Sequence, residues 1–193
     1  MTTWHWVRHA PTHQKTFVGW RDVPADLSDN AHLSRVQAHL PASALLVTSD
    51  LSRCIKTADA LHADGHRRLP PQPGLRELHF GLWDGMRFSQ VAARDPVISW
   101  QYWEEPGDIA APGGESWNMA AARVQTVVDH LNRRFPDSHI VAIAHFGVIL
   151  TQVQRALGIS AAQTLSHKID NLSVTKIVWK DATPELVQVN HHP

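Results

Sequence analysis

Three short apolar runs end in groups that could act on an anion. Trp4-His5-Trp6-Val7 leads into Arg8-His9, Ala44–Thr48 leads into Ser49-Asp50 with Arg53 just beyond, and Ile140–Ala144 leads into His145. Arg presents planar donor pairs that match phosphate oxygens and neutralises charge on a transferring phosphoryl group. A neutral imidazole is a nucleophile, and a carboxylic acid set opposite can protonate a departing oxygen. Glu77 lies in an irregular stretch between the second and third runs, free to fold over such a group, with Glu104, Glu105 and Glu115 as rival carboxylates. Two arginines (Arg8, Arg53), two histidines (His9, His145) and one carboxyl therefore suit phosphoryl transfer.

The elements that must bring them together are legible in outline. Trp4 and Trp6 fall on one face of a short strand, and Pro11 stops its ladder. Residues 44–48 and 140–144 are continuous apolar runs of the kind found in buried parallel strands. Helical patterns are expected over 28–40, from about Arg53 to Ala63, around 89–94, over 116–134 and over 147–157, where Gly158 stops the last. A further edge strand is expected between Arg68 and Pro73, and a hairpin of 174–180 with 186–189 turns through residues 181–184. Strands alternating with helices predict a three-layer α/β domain whose parallel strands end along one edge, where the Arg-His, Ser-Asp and His groups meet. No repeat or linker divides residues 1–193, so one domain is expected, with residues 75–114 as a lid or substrate insert.

Composition narrows the partners. Lys+Arg and Asp+Glu balance at 18 each among 193 residues, so no overall field draws the chain to nucleic acid or to an anionic membrane. The single Cys54 fits a reducing compartment. With no leader and no apolar run approaching about 18 residues, a cytoplasmic protein is expected. Fourteen histidines raise the question of a metal. His5 and His9 share the spacing of a helical ligand pair, but on a strand four residues span about 13 Å, too far for one ion. No metal and no cofactor are expected.

The blocks around these groups resemble the histidine phosphatase superfamily, the phosphoglycerate mutase-like enzymes. Arg8-His9-Ala10-x-Thr12 is similar to its Arg-His-Gly-x-Thr motif, and Ser49-Asp50-Leu51-Ser52-Arg53-Cys54-x-x-Thr57-Ala58 resembles its second block. Glu77-Leu78-x-Phe80-Gly81-x-Trp83-Asp84-Gly85, Gly113-Gly114-Glu115-Ser116 and Ala144-His145-Phe146-Gly147-Val148-Ile149 follow in the family's order, and Asn171 aligns with them. The resemblance implies a three-layer α/β/α sandwich, with a mostly parallel central sheet and an antiparallel C-terminal strand. It implies that His9 attacks phosphorus, that Arg8, Arg53 and His145 hold the equatorial oxygens, and that Glu77 is the acid and then the base. The short α-ribazole phosphatases look similar in length and block layout, and small sugar phosphatases resemble the chain nearly as well.

Other positions are assigned from the same blocks. Thr12 adds a hydroxyl, Lys15 stands where many members have a phosphate-contacting asparagine, and Trp20, Trp83 and Phe146 are assigned to the substrate pocket. One or two of Trp83, Trp100 and Trp103 are expected at its entrance, against core packing as the alternative. Ala10 replaces the family's glycine, which is tolerable only at negative φ. Glu115 is expected to cap the helix at Ser116, and Cys54 to be packing, since Ala60 stands where a cysteine phosphatase needs arginine. A phosphomonoester hydrolase acting on a small phosphorylated metabolite is expected, the short 75–114 stretch arguing against a mutase. A non-catalytic phosphate-binding module is the third reading, and a homodimer is allowed.

Overall fold

The computed structural model describes all 193 residues. Six strands, β1 (Thr2–Arg8), β2 (Ala44–Thr48), β3 (His66–Arg68), β4 (His139–Ala144), β5 (Val174–Lys180) and β6 (Thr183–His191), form one sheet in the order β3-β2-β4-β1-β5-β6. β3, β2, β4 and β1 are mutually parallel, β5 runs against β1, and β6 runs against β5. No helix is long and apolar enough to cross a membrane.

Burial on both faces explains the layers. Side chains of a strand alternate between faces, so Ile140, Ala142 and Ala144 enter one core cluster while Val141 and Ile143 enter the other. Leu45 and Val47 divide from Ala44 and Leu46 in the same way. The first cluster is closed by α5 (Trp117–Arg134) through Ala120, Val124, Val128 and Leu131, and by α6 (Phe146–Leu157). The second is closed by α1 (Asn30–His39) and α2 (Ser52–Leu61), through Leu33, Val36, Cys54, Ala58 and Leu61. Trp4 and Trp6 stack at 4.8 Å on the first face, and the Trp4 indole donates to Asn132 of α5 at 2.8 Å. The result is a mixed, mostly parallel sheet between two helical layers.

Several local expectations change. The edge strand spans His66–Arg68, earlier than expected. A helix, α4 (Pro96–Glu104), follows α3 (Phe88–Arg94) where the sequence shows only an aromatic segment. Val97, Ile98 and Trp100 stay exposed, so its apolar residues make no single stripe. The N-cap of α2 is Leu51, which offers no side-chain cap, and the Ser52 amide and hydroxyl donate to the Asp22 carboxylate at 2.8 and 2.7 Å. The C-terminal turn is only residues 181–182, with Pro184 inside the outermost strand β6, where its missing N–H is tolerated. A short helix, α7 (Ala161–Thr164), joins α6 to the segment before β5.

The chain leaves β1 toward β2 on one side, and leaves β4 toward β5 on the other. That reversal lies between the adjacent strands β1 and β4, and open α/β sheets bind ligands in the crevice beyond such a point.

Candidate active site

Register aligns the strand ends. Arg8 pairs with Ala144 across β1 and β4, and Thr48 pairs with Ile143 across β2 and β4. The residues that follow, His9, His145 and Ser49, leave the sheet together at its C-terminal edge. The rings of His9 and His145 lie 5.1 Å apart, inclined at 64°. His9 Nδ1 is 2.7 Å from its neighbour's carbonyl, Ala10 O. A carbonyl only accepts, so Nδ1 carries the hydrogen and Nε2 keeps its lone pair. Burial, followed by the positive charge of Arg53, lowers the His9 pKa to about 3, and the ring is neutral at ordinary pH.

His145 is fully buried and its tautomer follows from the same reasoning. Arg53 Nε donates to its Nδ1 at 3.2 Å, so Nε2 bears the hydrogen and lies 2.8 Å from Ser49 Oγ. Burial and the Arg53 charge hold its pKa well below the usual imidazole value. Arg53 also donates to the carbonyls of Arg21 and Gly19 at 3.1 and 2.7 Å. Three of its five N–H groups are thus engaged. Cys54 packs against His145 at 3.3 Å, and burial pushes its thiol up to about 12, as befits a packing role. Arg8 donates to Ile169 O at 2.7 Å, lies over the Phe146 ring, and keeps a buried Nε without a partner.

Glu77 is 8% exposed and meets the start of α6. The Gly147 amide donates to both carboxyl oxygens, at 3.0 and 3.3 Å, and the Leu78 amide donates at 3.0 Å. Burial raises its pKa above the ordinary value, against the pull of those amides and of Arg53 and Arg8. Ala10 avoids the left-handed region, which meets the condition for losing the family's glycine, and its amide donates to Thr57 at 3.0 Å. Asn171 reaches the His9 carbonyl at 2.7 Å.

Arg8, His9, Thr12, Glu77 and Phe146 line one cleft of about 420 Å³, and Trp103 joins them at its wall. Other expected substrate contacts lie elsewhere. Trp83 is wholly buried, with its indole donating to Asp95 at 2.8 Å and its ring against Tyr102, so it is a core residue. Trp20 stands behind the cleft: its indole donates to the Glu77 carbonyl at 2.8 Å while Arg76 lies over its ring. Lys15 is exposed and outside the lining, and Trp100 is 57% exposed in a neighbouring groove between α3 and α4.

Residues given no such role in the sequence hold Glu77 in place. Arg123 donates to the carbonyls of Gly74, Arg76 and Glu77 at 2.9, 2.7 and 2.8 Å. Its partner is Glu115, which also accepts from the His79 amide at 2.9 Å. Glu115 is therefore a clamp on the acid segment rather than the cap of α5, which is Ser116, accepting from the Met119 amide. The available signal was a cation bordering the apolar stripe of α5 eight residues after Glu115, about two helical turns. Gly147 was visible only as a motif letter; a Cβ there would lie 2.6 Å from Glu77 Oε1.

The chain is 28% identical over 175 residues to a bifunctional protein of Mycobacterium tuberculosis, covering 90% of this chain and 46% of that protein. It thus spans about half the length of that relative. It is 27% identical over 129 residues to the adenosylcobalamin/alpha-ribazole phosphatase of Escherichia coli, covering 65% of this chain and 62% of that one. Among solved structures, a mycobacterial glucosyl-3-phosphoglycerate phosphatase superposes with a TM-score of 0.85 at 26% identity, covering 98% of both chains. The model of the histidine phosphatase superfamily (branch 1) matches residues 5–192. With two histidines facing each other at the β1–β4 crevice and a family match spanning nearly its whole length, the chain belongs to the histidine phosphatase superfamily.

Proposed function

We propose that the protein is a metal-independent phosphomonoester hydrolase that acts on a small phosphorylated metabolite through a phosphohistidine on His9. One observation carries the reading: a neutral imidazole with an unoccupied Nε2 shares a cleft with a buried carboxyl whose pKa is raised. Nε2 attacks phosphorus while Arg8 and the uncommitted N–H groups of Arg53 take equatorial oxygens, where negative charge must be balanced in the transition state, and His145 joins them by exchanging its Nε2–H bond to Ser49 Oγ for one to the phosphate. Protonated Glu77 gives its hydrogen to the departing alkoxide, which leaves as the alcohol. The Glu77 carboxylate then takes a proton from water, whose oxygen attacks the phosphohistidine and releases inorganic phosphate and the free imidazole. Every proton in this cycle passes through Glu77, so no metal-bound water is required. The phosphatases among its relatives support a hydrolase.

Rapid quenching with ³²P-labelled phosphomonoester tests the scheme. The expected product is an acid-labile, alkali-stable phosphoprotein labelled at residue 9, formed equally in EDTA. His9→Ala should neither label nor turn over; retained hydrolysis in that variant overturns the proposal.

A further inference from the structure

Beyond His9 and Arg8 the cleft is walled by rings. Phe17, Phe80, Phe88 and Trp103 line it, the first two from the core, with Phe146 beside Arg8. Phe17 lies 4.3 Å from Phe88 at 50°, and 6.0 Å from Trp103 at 22°. Phe88, the first residue of α3, is 63% exposed at this wall. Phe88 packs one side on Phe17 and leaves most of its ring in water on a cleft wall, apolar surface that a ligand would cover.

Charge on the same surface is sparse. Arg8 is the one arginine or lysine in the lining, and one of its nitrogens is already committed to Ile169 O. The remaining polar lining away from His9 and Glu77 is neutral: Thr12, Gln14 and Thr16. Cations close behind are taken, Arg76 by Asp50 and Arg123 by Glu115. With Arg8 occupied by the phosphate, a carboxylate or second phosphate on the substrate would lose water and meet no counter-charge. A flat ring would instead meet faces and edges at offset-stacking and edge-to-face distances.

Resting on the hydrolase reading, we propose that the substrate is a phosphomonoester whose alcohol carries a flat aromatic group and no second anionic group. Phe88 and Trp103 are the residues that select it.

The test uses three alkyl esters of similar leaving-group strength, 2-phenylethyl phosphate, propyl phosphate and 3-phosphoglycerate, so that reactivity does not mimic recognition. Wild type should show a kcat/KM about tenfold higher for the phenylethyl ester than for the propyl ester, with 3-phosphoglycerate the poorest. In Phe88→Leu and Trp103→Leu, which keep apolar bulk but lose the ring, the phenylethyl-to-propyl ratio should fall toward one. Preference for 3-phosphoglycerate, or a ratio kept in both variants, overturns the inference and leaves the hydrolase reading standing. Hydrolysis of none of the three overturns both.

Discussion

Replacing Gly147 with alanine should separate acid catalysis from the rest of the site. A Cβ at this position would lie 2.6 Å from Glu77 Oε1 and 2.8 Å from Leu78 Cγ, with the peptide amide of the same residue bonded to both carboxyl oxygens. Relieving that contact moves the carboxyl by about 1 Å, and displacements of this size cost on the order of 100-fold in rate. The fold should suffer little: crowding costs about 1–3 kcal/mol, while alanine in place of glycine in a helix returns about 1 kcal/mol. Activity should therefore collapse while stability falls by about 2 kcal/mol at most. The assay compares kcat/KM, which reports the steps through leaving-group departure and leaves out the later water attack that Glu77 also assists, for an alkyl phosphate and for p-nitrophenyl phosphate, whose leaving group departs without a proton. In Gly147→Ala the alkyl ester should slow about 100-fold and the nitrophenyl ester by much less. Equal slowing of both would mean that the methyl disturbs His9 or the anion pocket instead. No slowing of the alkyl ester would refute the placement of Glu77 as the acid.

The acid role also sets a pH dependence. Glu77 must be protonated for the first step and its pKa is raised by burial, so kcat/KM for an alkyl ester should fall as the pH rises through that pKa. His9, held to about 3, contributes no acid limb above that pH. Glu77→Gln should remove this limb; the substrate's own ionisation is common to both enzymes, so an unchanged difference between profiles would count against Glu77. A second titration concerns stability. Burial, then the charges of His139 and Lys176, lower the His5 pKa from 6.5 to about 4. The unfolded chain takes up this proton below pH 6.5 and the folded chain does not, so stability is lost as the pH falls from 6.5 to about 4. The loss at this site is about 3 kcal/mol. Urea unfolding at pH 7 and pH 4.5 should show a smaller drop for His5→Phe than for wild type, and equal drops would exclude the effect.

What the sequence reveals of this site depends on how far away each residue's partners lie. β1, β2 and β4 are buried along nearly their whole length, so their apolar runs announce them, and the residues at their ends inherit a place at the sheet edge. His9 and His145 are legible for that reason. Glu77 is not, since it stands in no regular element and its position is imposed by Arg123, 46 residues later, and by Gly147 at the start of another helix. Only the resemblance of its block to a family motif singled it out. The tryptophans show the limit most clearly. Trp83 and Trp103 have the same side chain and lie in the same aromatic stretch, yet one is in the core and the other walls the cleft. Asp95 accepts the Trp83 indole N–H inside the core, while Trp103, on α4, is half-buried with one side on the core and the other on the cleft. α4 itself leaves no periodic trace, because its exposed Val97, Ile98 and Trp100 interrupt any apolar stripe. The exposed apolar residues that hid α4 from its pattern lie outside the cleft, and the one ring that α4 gives the cleft is Trp103.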